Sequence, residues 1–293
     1  MTHVSEEIAS QPECWRRALE LSPKDLPEPG ERVAVIGCGT SLYIAQAYAS
    51  LRESAGLGET DAFAASDFPT SRRYDRVLAI SRSGTTTEVL AALEQIQQIQ
   101  GTPTVAVTGD LATPITTAAG SVVDLAFANE KSVVQTRFAT TCLALLRGHL
   151  GLAPADLPEQ AKQALLAPLP EGATTAQQFT FLGTGWTTGI ANEAALKLRE
   201  ASGSWTESYP AMEYRHGPIS VTAPGSVVWF FGEPPTGLLD QVRATGAVAS
   251  LSPLDPLADL IRAQRLAVEL AESRGLDPDQ PRNLTRSIIL TRP

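Results

Sequence analysis

The sequence predicts an α/β protein made of two tandem halves, each a mostly parallel, doubly wound sheet flanked by helices. Three observations carry this. Short apolar, β-branched runs at 33–37 (VAVIG), 76–80 (RVLAI), 103–108 (PTVAVT) and 121–125 (SVVDL) do not alternate between apolar and polar residues, which is how strands covered on both faces read. Helical patterns over Ser41–Glu53, Thr86–Gln100 and Val133–Leu150 follow them, and strand alternating with helix is the doubly wound order. A strand running into glycine occurs twice, as VAVIG before CGTS and as FTFLG (179–183) before TGWTTG, which points to an internal duplication.

The 293 residues exceed the commonest single-domain size, so two domains are expected, 1–155 and 156–293. The first half carries a leading helix and the four runs above. Residues 151–176 hold a short helical pattern flanked by Pro, Gly and Thr and read as a connector. The second half continues with FTFLG, a helix over 187–201 and the strand SVVWFF at 226–231, whereas 232–255 is strand-poor. The tail LDPDQPRNLTRSIIL (276–290) places two prolines and a polar stretch before a final apolar run. It reads as a surface extension ending in a docking strand, or as a lid if it returns over the crevice.

Composition, with 43% hydrophobic and 19% charged residues, is that of a globular chain. A formal charge of -9 with no dense basic run makes nucleic acid and anionic membrane poor partners. No apolar run approaches the roughly 20 residues that span a bilayer. Cys14, Cys38 and Cys142 show no C-x-x-C spacing, and MTHVSEEIAS lacks the order of a signal peptide, so a reducing, cytoplasmic setting is expected.

In a doubly wound sheet the ligand lies beyond the carboxyl ends of the strands. SRSGTTTEV, starting at Ser81, falls there, where a helix beginning near Thr85 presents free N–H groups and a positive dipole end suited to a phosphate dianion. Ser81, Ser83 and Thr86 add hydroxyls, and Gly84 admits close approach. Capping alone explains one of these hydroxyls rather than five. GCGTS (37–41) is a tight turn by itself and gains meaning beside that loop. In NEAALKLREAS, Glu193, Lys197 and Glu200 share one helical face, which is either a solvated face with an ion pair or a face aimed at the crevice with Glu200 as a base. His216 lies in the Pro- and Gly-flanked MEYRHGPIS, where a histidine can move protons near neutral pH. Three dispersed histidines point to no metal site, and no cofactor is implied.

Taken in order, GCGTS, SRSGTT, E-x-x-x-K-L-x-E, RHGP and DQPRNL resemble the sugar isomerase (SIS) family over nearly the whole chain, most closely the isomerase half of the glutamine:fructose-6-phosphate amidotransferases. The resemblance implies two SIS subdomains, a homodimer and a hexose 6-phosphate substrate. It implies that Ser81, Arg82 (through its amide), Ser83 and Thr86 hold the phosphate. Thr40 and Ser41, with the stretch Val134, Gln135 and Thr136, would meet the sugar. Glu200 would carry the proton between C1 and C2 beside Lys197, and His216, donated by the partner subunit, would open the ring.

Two departures bear on the reaction. A glutaminase domain with its nucleophilic cysteine is absent from the sequence, so synthesis from glutamine is not expected. Arg286 stands where that pattern has a lysine, and its guanidinium cannot form a Schiff base. Gln135 also replaces an expected serine. Three functions follow: isomerisation of a hexosamine 6-phosphate with or without deamination; elimination of the C3 hydroxyl from an N-acylated hexosamine 6-phosphate; or non-catalytic sugar-phosphate sensing, which the absence of a preceding helix-turn-helix and the retention of Glu200 and His216 oppose.

Overall fold

The computed structural model describes residues 2–99 and 101–290. Helices α1 (His3–Ala9) and α2 (Gln11–Leu19) lead the chain. The first sheet follows as β1 (Val33–Gly37), α3 (Thr40–Ser54), β2 (Thr60–Ala64), β3 (Arg76–Ser81), α4 (Thr87–Ile99), β4 (Thr104–Thr108), α5 (Ile115–Ala118), β5 (Ser121–Asp124) and α6 (Arg137–His149). Its strands run parallel in the order β2-β1-β3-β4-β5. All five residues of β1 are buried, which is why its sequence shows no alternation. Ile36, Val77 and Ala79 from the strands meet Val89, Leu93 and Ile96 of α4 in one core, each larger side chain contributing about 1.5–3 kcal/mol by leaving water.

The second sheet is built from α7 (Leu157–Leu166), β6 (Gln178–Gly183), α8 (Thr187–Ser202), β7 (Thr206–Pro210), β8 (Ser226–Phe231), α9 (Leu238–Ala244), β9 (Val248–Ser250) and α10 (Pro256–Ser273). Its parallel order, β7-β6-β8-β9, repeats the first four positions of the first sheet, so the duplication read from the glycine turns is also one of topology. Helix α10 is capped by Asp255, whose Oδ1 accepts the Leu257 N–H at 2.9 Å, with Pro256 at the first helical position. It packs along α8 and buries Leu260, Ile261 and Leu266.

Two compact units result. One holds Glu13–Glu130, Arg137–Ala153 and the tail from Thr285; the other holds the segment up to Pro12, Lys131–Thr136 and Pro154–Leu284. In the latter, Asp279 accepts the N–H groups of His3 and Val4 at 2.8 and 2.7 Å, satisfying the head of α1. The buried Glu7 carboxylate accepts the Lys131 and Ser132 N–H groups at 2.6 and 3.2 Å and also binds the Ser132 hydroxyl.

Several sequence expectations are corrected. The helix expected over Val133–Leu150 runs over Arg137–His149, and the Ser132 and Val133 amides ahead of it donate to Glu7 and to the Asp279 carbonyl. Strands β2, β7 and β9 and helix α10 go unread; the edge strands are short and mix polar residues, as edges do. No docking strand forms within 276–290. The expected end of α4 at Gln100 lies outside the described residues. Among the described residues no helix is long and apolar enough to cross a membrane.

Candidate functional site

Both strand-to-helix turns are shaped by glycine. A Cβ at Gly37 would fall 2.7 Å from the Ser41 carbonyl carbon, and one at Gly183 would fall 2.2 Å from the Thr187 oxygen. Gly39 and Gly185, each two residues on, have φ of +55° and +59°. Only glycine fits such pressed, left-handed turns, and they set Thr40 and Ser41 in the first turn of α3, both buried, and Thr187 in that of α8. The GTGWTTG turn spends its hydroxyl internally, with Thr187 Oγ1 accepting the Thr184 N–H at 2.8 Å.

Strand β3 ends at Ser81, beside β1 in the sheet, and the loop to α4 carries the expected phosphate residues. Ser81 Oγ accepts the Gly84 N–H at 3.2 Å and Ser83 Oγ accepts the Thr85 N–H at 3.3 Å, so the serines also shape the loop. Gly84 turns it at φ +62°, with a Cβ there only 2.1 Å from Thr113 Oγ1. The helix starts at Thr87, one residue after the start of the expected Thr86–Gln100 pattern.

Arg82 was expected to act through its amide. Its guanidinium has a structural place of its own: Nη1 lies 3.4 Å from Glu130, with both side chains out of water at 1% and 0% exposure, and Nη2 donates to the Arg286 carbonyl at 3.0 Å. Arg286 in turn donates from Nη2 to Asn129 Oδ1 at 2.7 Å. Nothing local in the sequence marks Asn129 or Glu130, whose partners lie far along the chain. Ser287 reaches the same loop, accepting hydrogen bonds from Ser83 Oγ at 3.1 Å and Thr85 Oγ1 at 2.9 Å, with Thr86 Oγ1 at 3.4 Å. The structure thus brings together Ser81, Arg82, Ser83, Thr86 and Arg286, with Thr40 and Ser41 on the neighbouring strand's turn.

The other unit gathers the carboxylates. Glu193 and Lys197 on α8 are buried, and Lys197 Nζ lies 3.6 Å from Glu193 while donating to Glu200. The solvated-face reading of this helix is therefore wrong, because α10 covers that side. The Glu200 side chain keeps 20% exposure and lines a cavity of about 540 Å³ with Arg199, Asp277, Gln280, Arg282 and Asn283. Val134 and Thr136 line a narrow hollow with Lys197 and Gln264. Gln135 lies between them, and its buried Oε1 has no hydrogen-bond partner among the described residues. His216 ends a 3-10 turn (Glu213–His216) ahead of Gly217 at φ +137°; it is exposed and forms no hydrogen bond among the described residues. Burial raises the pKa of Cys38, the thiol beside Gly39.

Residues 28–147, which contain all of the first sheet, match the SIS domain family model. Among curated proteins, a glutamine–fructose-6-phosphate aminotransferase [isomerizing] of Bacteroides thetaiotaomicron is 28% identical over 89% of this chain and 51% of its own length. The chain spans about half the length of the curated relatives it matches. Two solved structures share the fold. A glucosamine-6-phosphate deaminase from Thermotoga maritima aligns with a TM-score of 0.82 and 23% identity, covering 99% of this chain and 100% of that one. The C-terminal domain of glucosamine-fructose-6-phosphate aminotransferase from Francisella tularensis aligns with a TM-score of 0.78 and 21% identity over 96% and 98%. The SIS family model is thus matched over the first sheet, and the second sheet repeats the same strand order.

Proposed function

We propose that the protein acts on a hexosamine 6-phosphate, opening the ring and moving the C2 proton, so that an aldose and a ketose interconvert with or without loss of the amino group. The observation that carries this reading is Glu200. Its carboxylate is fixed by a buried lysine and borders a roomy polar cavity, which is the setting of a positioned base. Glu200 takes the proton from C2 of the open-chain aldehyde, the C2–H electron pair forms the C1=C2 bond of a 2-amino enol while the carbonyl oxygen takes up a proton, and return of a proton at C1 gives a C2 imine that water hydrolyses to the ketose with release of ammonia. Lys197 holds the carboxylate in place and offsets its charge. The hydroxyls of Ser81, Ser83 and Thr86, with Thr40 and Ser41 nearby, take the phosphate end, and Val134, Gln135 and Thr136 meet the sugar. His216, exposed and without a hydrogen-bond partner among the described residues, serves ring opening in the neighbouring subunit of a cytoplasmic homodimer.

Elimination of the C3 hydroxyl from an N-acylated substrate is the second reading, and Arg286 favours it. Its guanidinium is engaged with Asn129, and it cannot form the imine that lysine would. Elimination needs only a base and an acid. Incubation with glucosamine 6-phosphate and with its N-acetyl form in deuterated water separates the outcomes by mass: ketose or ammonia from the first, or an unsaturated product from the second. Deuterium is expected at C1 of the ketose and, where proton removal is reversible, at C2 of the recovered sugar phosphate, whereas the unsaturated product keeps no hydrogen at C2. Absence of ketose, ammonia and unsaturated product together with absence of deuterium uptake from both sugars would refute proton transfer altogether.

A further inference from the structure

The groups best suited to a phosphate are already engaged by the chain's own tail. Ser83 Oγ and Thr85 Oγ1 both donate to Ser287 Oγ, and Thr86 Oγ1 lies within reach of it. The Thr87 N–H, a first-turn amide of α4, donates to the Ile288 carbonyl at 3.1 Å. The Leu290 N–H closes the contact on Thr87 Oγ1 at 2.9 Å. Each hydroxyl has a single proton, so a serine or threonine that donates to Ser287 cannot donate at the same time to an anion. The tail keeps an independent hold through the Arg82 bond to the Arg286 carbonyl and the Arg286 bond to Asn129.

We propose that residues 287–290 are an intramolecular competitor for the phosphate: Ser287 Oγ stands where a phosphate oxygen would accept from Ser83 and Thr85, and binding of the dianion lifts Ser287 and Ile288 off the head of α4. This rests on the reading that the 81–86 loop holds phosphate. Hydrogen bonds to an ionised acceptor are roughly twice as strong as those to a neutral one, so the dianion wins the donors from a serine hydroxyl. The Arg82–Glu130 pair retains the base of the tail while its end swings away, so release is local and reversible. The tail then reports occupancy of the loop, and the apparent affinity for sugar phosphate is set below the loop's intrinsic value.

The test uses the full chain, calorimetric titration with glucosamine 6-phosphate, and hydrogen exchange of the tail amides. Ser287→Ala removes the competing acceptor and is expected to tighten binding about 3- to 10-fold, the span of one ordinary hydrogen bond. In the unsubstituted protein, saturation with the sugar phosphate is expected to speed exchange of the Leu290 amide. Ser83→Ala, measured alongside, reports on the loop itself and is expected to weaken binding. If Ser83→Ala weakens binding while Ser287→Ala leaves it unchanged or weaker, or if the Leu290 amide becomes more protected, the competitor is overturned and the phosphate loop stands. If neither substitution changes affinity, the loop reading fails and the proposal falls with it.

Discussion

Lys197 stands 3.6 Å from Glu193 with the two side chains only 1% and 0% exposed, and the same ammonium also holds Glu200. One cation is thus shared by a carboxylate that never meets water and another that borders a cavity. Such an arrangement is costly to desolvate and contributes little net stability, but it is costlier still to break.

Replacing Lys197 by Met is therefore expected to destabilise the protein by about 3–5 kcal/mol, since it removes one partner of a buried ion pair. Lys197→Met combined with Glu193→Gln should recover most of that loss. Urea midpoints of the two variants provide the comparison. A loss below about 1 kcal/mol in the single variant, the worth of an exposed pair, would mean that the two groups do not interact as a buried pair.

Glu200 lies at the exposed end of the same trio, so its replacement by Gln should leave the fold intact while lowering turnover roughly 100-fold or more. The readout is solvent deuterium at C2 of the sugar phosphate. Undiminished exchange in Glu200→Gln would move the proton transfer to another residue.

His216 provides a test of sharing between subunits. Mixing His216→Ala with Glu200→Gln protein under subunit exchange should restore activity, because a C2 heterodimer places both defects in one site and none in the other. About half of randomly reassorted dimers are mixed, with one intact site of two, so recovery near one quarter of the unsubstituted turnover is expected. If native mass spectrometry finds heterodimers and the mixture stays inactive, His216 does not act across the dimer.

Glu31 governs an acid-dependent part of the stability. Arg76 binds it through two hydrogen bonds, Nε at 2.9 Å and Nη2 at 2.8 Å, and this holds the Glu31 carboxyl below its ordinary pKa. A folded pKa below the unfolded one stabilises the protein above about pH 4.3, the unfolded value, and that contribution is lost as pH falls through the folded pKa. Glu31→Gln should therefore melt lower near pH 7, by about 1 kcal/mol in stability, and converge with the parent in acid. Thermal midpoints across pH 3–7 are the measurement; a constant offset over that range would refute the linkage.

Much of this was legible in the sequence, for physical reasons. Strands β1, β3, β4, β6 and β8 are buried on both faces, so their residues read as continuous apolar runs. The edge strands TDAFA and TESYP carry mixed polarity and were passed over. The SRSGTT loop and the Glu193, Lys197, Glu200 face are local patterns, visible at short spacing. Asn129, Glu130, Glu7 and Ser287 could not be found in that way, because each acts on a partner more than 40 residues off in the chain: Glu130 pairs with Arg82 at a separation of 48 and Ser287 meets Ser83 at 204. Whether the Glu193 face was wet or dry was likewise decided by α10, which begins more than 50 residues later.

The bonds from His3 and Val4 to Asp279 have a consequence for how the molecule assembles. They close separations of 276 and 275 residues, and the compact unit to which they belong also draws in 131–136. The entropic cost of closing a loop grows only slowly with its length, so the contact is tolerated at equilibrium, but a contact so distant in sequence slows folding. Helix α1 is seven residues long, too short to persist alone in water. During synthesis it must wait, unformed, while the intervening chain is laid down and the first sheet takes shape. Cutting the gene between the two sheets would therefore strand α1 and the Lys131–Thr136 segment on the wrong fragment, and the second sheet's unit would be recovered only when both pieces are supplied together.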